Sequence, residues 1–186
     1  MASPQSRLAL FGHSGAGKSM SARIVTELCE DQGLRVERVR LAEPLYAMQH
    51  EMYRRAGRSI PFYAQDQVLL ESIAGHLRRI SPTALADDFE RRLEASDADV
   101  ALNDDLRDVR VDMYRLRRLG FVLVRIDCDD ARRAARLRAR GDESVVADSS
   151  TTRDIHLIDA DVVVDNATDD EAVLCERIRD ALKGLL

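Results

Sequence analysis

Residues 12–19 read GHSGAGKS, which follows the spacing G-x-x-x-x-G-K-[ST]. Glycines at positions 12, 15 and 17 let a backbone wrap closely, so that successive N–H groups point at one anion. A helix starting directly behind them would add the positive end of its dipole. In such a loop the Lys18 ammonium reaches the β- and γ-phosphates of a nucleoside triphosphate, and the Ser19 hydroxyl ligates Mg²⁺. Gly12, His13, Ser14, Gly15, Ala16, Gly17, Lys18, Ser19 and the following Met20 are therefore the expected triphosphate cradle. The chain's own habit sharpens this reading. Of 28 basic residues 26 are Arg, and the only lysines are Lys18 and Lys183. Lys18 stands where arginine would fit the habit but not the loop.

A second acidic site lies in VALNDD, residues 100–105. A hydrophobic strand ending in an acid is the usual partner of a phosphate loop, its carboxylate holding Mg²⁺ directly or through water. Asp104 and Asp105 compete for that role, because adjacent strand residues face opposite ways, so only one can point at the metal. Arg107 follows on the same side if the chain stays extended. Glu43 is either a carboxylate at the reacting centre or a first-turn acid favoured by the helix dipole. The four histidines show no metal-ligand spacing, and Cys29, Cys128 and Cys175 form no CxxC pair, so they read as reduced thiols.

Alternating strands and helices would carry these groups. Apolar or alternating runs predict strands over 7–11, 35–41, 99–103, 121–126 and 161–165. Helical spacing predicts helices over 18–32, from Pro44 towards Gly57, and over 65–80, 82–95, 109–119, 129–140 and 169–182. Ser81 is the expected cap of the segment after it. Five strands separated by helices imply right-handed crossovers and a three-layer α/β fold with a five-stranded parallel sheet. Ligands then bind beyond the carboxyl ends of the strands, at Gly12, Ala42, Asp104 and Asp127.

With 186 residues, 45% of them hydrophobic, the chain suffices for one domain over 1–186. A net charge of −5 argues against a general nucleic-acid coat. No apolar run approaches a membrane span, and MASPQSR lacks the apolar stretch of a signal peptide, so a cytoplasmic location is expected. A guanine-reading N-K-x-D element has no lysine to build on between residues 19 and 182, which disfavours a GTP switch or another NTP-binding regulator.

In order along the chain, GHSGAGKS, LAEPL (41–45), LLESIAGHLRR (69–79), DLR (105–107), RRLGFVLVRI (117–126) and DVVVDN (161–166) resemble the deoxynucleoside monophosphate kinases of phages and bacteria, small P-loop kinases within the wider nucleoside monophosphate kinase group. The chain departs from that pattern at Tyr46, where a lysine is usual, and over 110–112, where Asn-Glu commonly follows the Asp-x-Arg. The resemblance implies ATP as donor with Mg²⁺, and a nucleoside monophosphate as acceptor. It implies a helical acceptor-binding insertion over 58–96 with Arg78 and Arg79, and acceptor roles for Glu43 and Arg107. It further implies an arginine-rich lid over about 129–158, in which Arg132 and Arg136 would contact the phosphates. Arg136 and Arg140 share a face there at i, i+4; the other reading is a solvated face paired with Asp129, Asp130 and Asp142. Asn166 would border the adenine. Lys18, Glu43, Asp105, Arg107 and Arg136 are then the expected catalytic set, with Ser19 and Asp105 on the metal. Dephospho-coenzyme A kinase and a kinase of a modified nucleotide, or of a base in DNA, are the alternatives. The oligomeric state stays open, a homodimer included.

Overall fold

The structure is a computed structural model and describes residues 5–106, 108–140 and 154–186. Arg107, the segment 141–153 and the Arg140 side chain lie outside the described residues. Five strands, β1 (Ser6–Phe11), β2 (Val36–Arg38), β3 (Val100–Asn103), β4 (Val122–Asp127) and β5 (Val162–Asp165), form one sheet in the order β2-β3-β1-β4-β5. Every pairing is parallel. The helices are α1 (Lys18–Glu30), α2 (Glu43–Arg55), α3 (Gln67–Ile80), α4 (Ala84–Glu94), α5 (Asp112–Arg118), α6 (Asp130–Arg140) and α7 (Glu171–Ala181). A short 3₁₀ turn covers Asp154–Leu157.

Alternation along β1 builds both faces of the sheet. Leu8 and Leu10 pack with Ile24, Val25, Leu174 and Ile178 under α1 and α7. Ala9 and Phe11 pack on the opposite side with Phe89, Leu93 and Leu116 of α4 and α5, and with Ile155 and Ile158. A third, smaller cluster of Leu45, Ala74 and Leu85 joins α2, α3 and α4. Because β3 and β4 flank β1, the chain leaves the sheet centre in opposite directions on the two sides. The loop after β1 and the acids after β3 are therefore neighbours at the carboxyl ends, where open α/β sheets bind ligands.

Three of the boundaries that differ from the sequence expectation do so for a local reason. Strand β2 stops at Arg38 because side chains replace its ladder. Asn103 Nδ2 donates to the Val39 carbonyl at 3.0 Å, and Asp105 accepts from the N–H groups of Leu41 and Ala42 at 2.9 and 2.8 Å. Helix α5 starts at Asp112 because the Asp108 carboxylate takes the N–H groups of Arg110 and Val111, holding a turn there. Ser81 closes α3 instead of opening α4: its backbone is extended and its N–H donates to the Leu77 carbonyl. Thr83 stands at the start of α4. No helix among the described residues is long and apolar enough to cross a membrane.

Candidate active site

The turn from β1 into α1 is a backbone cradle. At Gly15 the chain has φ +80°, and a Cβ would lie 2.7 Å from the Arg133 carbonyl oxygen. At Gly17, φ is +98°, and a Cβ would run into the Asn166 amide nitrogen. Both positions thus require glycine for conformation and for space. The Lys18 ammonium donates to the carbonyls of Gly12 at 2.8 Å and His13 at 3.1 Å, folding back over the loop it belongs to. Asn166, at the end of β5, donates from Nδ2 to the Ala16 carbonyl at 2.7 Å and braces the turn from behind. Arg133 donates from Nε to the Ser14 carbonyl at 3.1 Å. Burial, together with Arg133 and Lys18, lowers the His13 pKa from its ordinary value.

In front of the loop lies a cavity of about 370 Å³. Ser14, Gly15, Gly17, Lys18, Ser19 and Met20 form one wall, and Arg136 and Leu137 of α6 another. Arg40, Tyr46, Tyr63, Gln65, Asp104 and Asp105 complete it. Three cations from three elements, Lys18, Arg40 and Arg136, therefore converge on one space, as binding a polyphosphate requires. Arg136 is aimed by the Thr168 carbonyl at 2.6 Å and by Asp169 at 3.3 Å. A neighbouring space of about 290 Å³ continues past Met20 and Arg136 to Asn166, Thr168 and α7.

Asp104 and Asp105 both border the main cavity, because β3 ends at Asn103 and strict alternation ends with it. Asp104 is buried and paired with Arg38 at 2.5 Å and Arg40 at 3.1 Å. Asp105 accepts from Leu41, Ala42 and, at 2.6 Å, Asn103 Nδ2. Burial and the Asp104 charge push the Asp105 carboxyl up, while its three donors act in the opposite direction. As for a metal, the described residues contain no cluster of three or more His, Cys, Asp or Glu able to hold one. The Ser19 hydroxyl and the two aspartates are hard oxygen donors on one cavity. That set suits a Mg²⁺ ion carried mainly by phosphate oxygens and water.

Tyr46, Gln65 and Asp105 are shared with a second, narrower cavity of about 80 Å³. Its walls are Leu41, Leu45, Leu70, Ala74 and Leu85, and its polar groups include Glu71, Arg78 and Asp112. Arg78 stands 3.8 Å from Asp112, whose burial raises its carboxyl to about 7 against the pull of Arg78. A triphosphate-sized cradle thus opens onto an apolar slot with a charged end.

The architecture has solved counterparts. The shikimate kinase of Acinetobacter baumannii, in complex with shikimate, matches with a TM-score of 0.56 at 15% identity, over 97% of this chain and 94% of that one. The shikimate kinase of Aquifex aeolicus matches at 0.51 with 16% identity, over 96% of both chains. A sugar kinase from a Janibacter species matches at 0.50 with 17% identity, over 97% of this chain and 95% of that one. The chain has the fold of the P-loop kinases. No protein-family model matches it, and no curated protein sequence does.

Within this P-loop kinase fold the expected site residues separate into groups. Ser14, Gly15, Gly17, Lys18, Ser19, Met20, Asp105 and Arg136 line the cavity in front of the loop. Gly12, His13 and Ala16 shape the loop through their carbonyls. Arg78 lines the apolar slot, whereas Arg79 is exposed and lines neither cavity. Arg132 pairs with Asp129 at 2.7 Å and Arg133 with Asp130 at 2.5 Å, the solvated-face arrangement, although Arg133 also grips the loop. Glu43 lines neither cavity and accepts from the Tyr63 hydroxyl at 3.1 Å. Asn166 borders the space beyond Met20 but spends its amide on the loop. Arg107 lies outside the described residues. Arg40, Tyr63, Tyr46, Gln65 and Asp112 were not expected as site residues from the sequence. Arg40 carried no signal in the sequence, where it fell inside the expected strand 35–41; it lies past the carboxyl end of β2 only because β2 stops at Arg38.

Proposed function

We propose that the chain is an ATP- and Mg²⁺-dependent phosphotransferase that moves the γ-phosphoryl group to a (deoxy)nucleoside monophosphate. Support for a kinase comes from the phosphate loop opening, through Tyr46, Gln65 and Asp105, onto a second pocket for an acceptor. Such a junction lets two bound molecules meet in line, which is most of what phosphoryl transfer asks of a protein. Lys18, Arg40 and Arg136 offset charge on the transferring group. Mg²⁺, held by Ser19, by Asp104 or Asp105 and by the phosphates, would supply further neutralisation of that charge.

The choice of a phosphate acceptor over an alcohol rests on one observation: the carboxylates beside the phosphate loop and at the start of α2, Asp104, Asp105 and Glu43, are already engaged, and Glu71 and Asp112 line only the slot. Asp104 is spent on two arginines, Asp105 on two backbone N–H groups and an amide, and Glu43 on Tyr63. An alcohol needs a base to take its proton, whereas a phosphate is already an anion. The apolar walls of the slot suit a heterocyclic base better than a polyhydroxylated sugar. The test is a panel of nucleoside monophosphates, nucleosides, gluconate, shikimate and dephospho-coenzyme A with γ-labelled ATP, separated by chromatography. Label in a nucleoside diphosphate is expected. Label in an alcohol acceptor alone, or only in inorganic phosphate, would refute the assignment.

A further inference from the structure

Arg40 lines the main cavity, next in the chain to Leu41, which lines the slot, in a segment tied down along its backbone. Arg92 donates to the Arg40 carbonyl at 2.5 Å, and the residues on either side are held by Asn103 and Asp105. The side chain is only 16% exposed. Its Nε donates to Asp104 at 3.1 Å, and its Cζ lies 4.2 Å from the centre of the Tyr63 ring. Tyr63 is itself fixed by an edge-on contact with Tyr46 and by Glu43. Among the described residues, nothing accepts a hydrogen bond from the two terminal nitrogens of Arg40. The carboxylate and the ring thus set the plane of the guanidinium and leave its fork toward the cavity unspent.

The local charge balance favours an incoming anion. Asp104 serves both Arg38 and Arg40, so two guanidinium groups share one carboxylate. Burial opposes the charge on Arg40, but Asp104, with Tyr63 and Asp105, outweighs it and keeps the pKa raised. A pre-oriented, half-desolvated guanidinium with its fork free is suited to bidentate recognition of an oxyanion. Lys18 and Arg136 approach the same cavity from the loop and α6, where a donor's triphosphate would lie. Arg40 approaches from the side of Tyr46 and Gln65, which the cavity shares with the apolar slot.

We propose that Arg40 binds the phosphate of the acceptor, so that the acceptor lies with its anionic end at the junction and its base in the slot, toward Arg78 and Asp112. This assignment rests on the nucleotide kinase reading and adds both a residue and an orientation to it. Asp104 and Tyr63 are positioning residues for the guanidinium.

Binding of the four deoxynucleoside monophosphates and their parent nucleosides, measured by calorimetry on the full chain, tests the proposal. The wild-type chain should bind its best monophosphate at least about tenfold tighter than the matching nucleoside, the worth of hydrogen bonds to a charged group. Arg40→Met should bring that ratio to within about threefold of unity. A purely structural role would weaken monophosphate and nucleoside alike and leave the ratio unchanged, which would overturn the proposal. Arg40→Lys keeps the charge without the planar fork and should lower the ratio partway, which carries the test if the methionine variant does not fold. Transfer to nucleotides with an unchanged ratio in both variants would sink the Arg40 assignment while the kinase reading stands. Absence of transfer to any nucleotide by the wild-type chain would sink both.

Discussion

Replacing Gly17 by alanine probes the join between the phosphate loop and the last strand. The backbone there has φ +98°, which an L-residue adopts at a cost of about 1–2 kcal/mol. The new methyl group also occupies the place of the Asn166 amide, so the 2.7 Å bond to the Ala16 carbonyl is lost. Asn166 is 2% exposed, so the separated partners have little access to water, and the loss costs about 1–3 kcal/mol. The two effects total about 3.5 kcal/mol at the middle of their ranges. For a chain of this size that lowers the melting temperature by about 7–14 °C. Thermal unfolding of Gly17→Ala, Asn166→Ala and the double variant gives a complete cycle. Asn166→Ala alone should cost about 1–3 kcal/mol, and the double variant should fall short of additivity by about 1 kcal/mol or more, since one amide cannot be displaced twice. A Gly17→Ala chain melting within 2 °C of the parent, roughly the shift from half a kcal/mol, would refute this reasoning. Strict additivity would show that Gly17 is not making room for Asn166.

Asp112 gives the chain a pH signature. Its carboxyl, raised to about 7 by burial, keeps a proton in the native state that the unfolded chain releases near the ordinary value of 3.8. Stability from this group is therefore greatest below pH 4 and is lost as pH rises through 7. Urea midpoints at pH 5 and pH 8 should differ less for Asp112→Asn than for the parent; an equal difference would contradict the assignment. At the charged end of the slot, Arg78→Ala should raise the acceptor KM about tenfold while the ATP KM stays within about twofold. Steady-state kinetics with both substrates varied checks this, and a matching rise in both KM values would count against it.

The sequence made the phosphate loop legible because everything it needs lies within a dozen residues: an apolar strand, three glycines, a lysine and a helix start. The sheet was equally legible, since the apolar runs in RLALF and DVVVD depend only on neighbouring residues. The expected ends of β2 and α5 moved where side chains competed for backbone groups, as Asn103 and Asp108 do. The acceptor side was harder to read for the same physical reason. Arg40 owes its orientation to Asp104, 64 positions away, and to an aromatic ring on the α2–α3 connection. Asn166 braces a loop 150 positions earlier in the chain. No local pattern encodes such pairings; they exist only once the strands are side by side. Arg78 and Asp105 were legible as polar residues near strand or helix ends, but Asp105 proves to be bonded to the β2–α2 backbone, which a spacing argument cannot show.

The central claim is that the turn around Lys18 grips a triphosphate. Calorimetric titration of the chain with ATP in the presence of Mg²⁺, alongside Lys18→Met, tests it most directly. One ATP per chain is expected for the wild type, with affinity weakened at least about tenfold in the variant while its melting temperature holds. No heat of binding in the wild type, or equal affinity in both proteins, would contradict it.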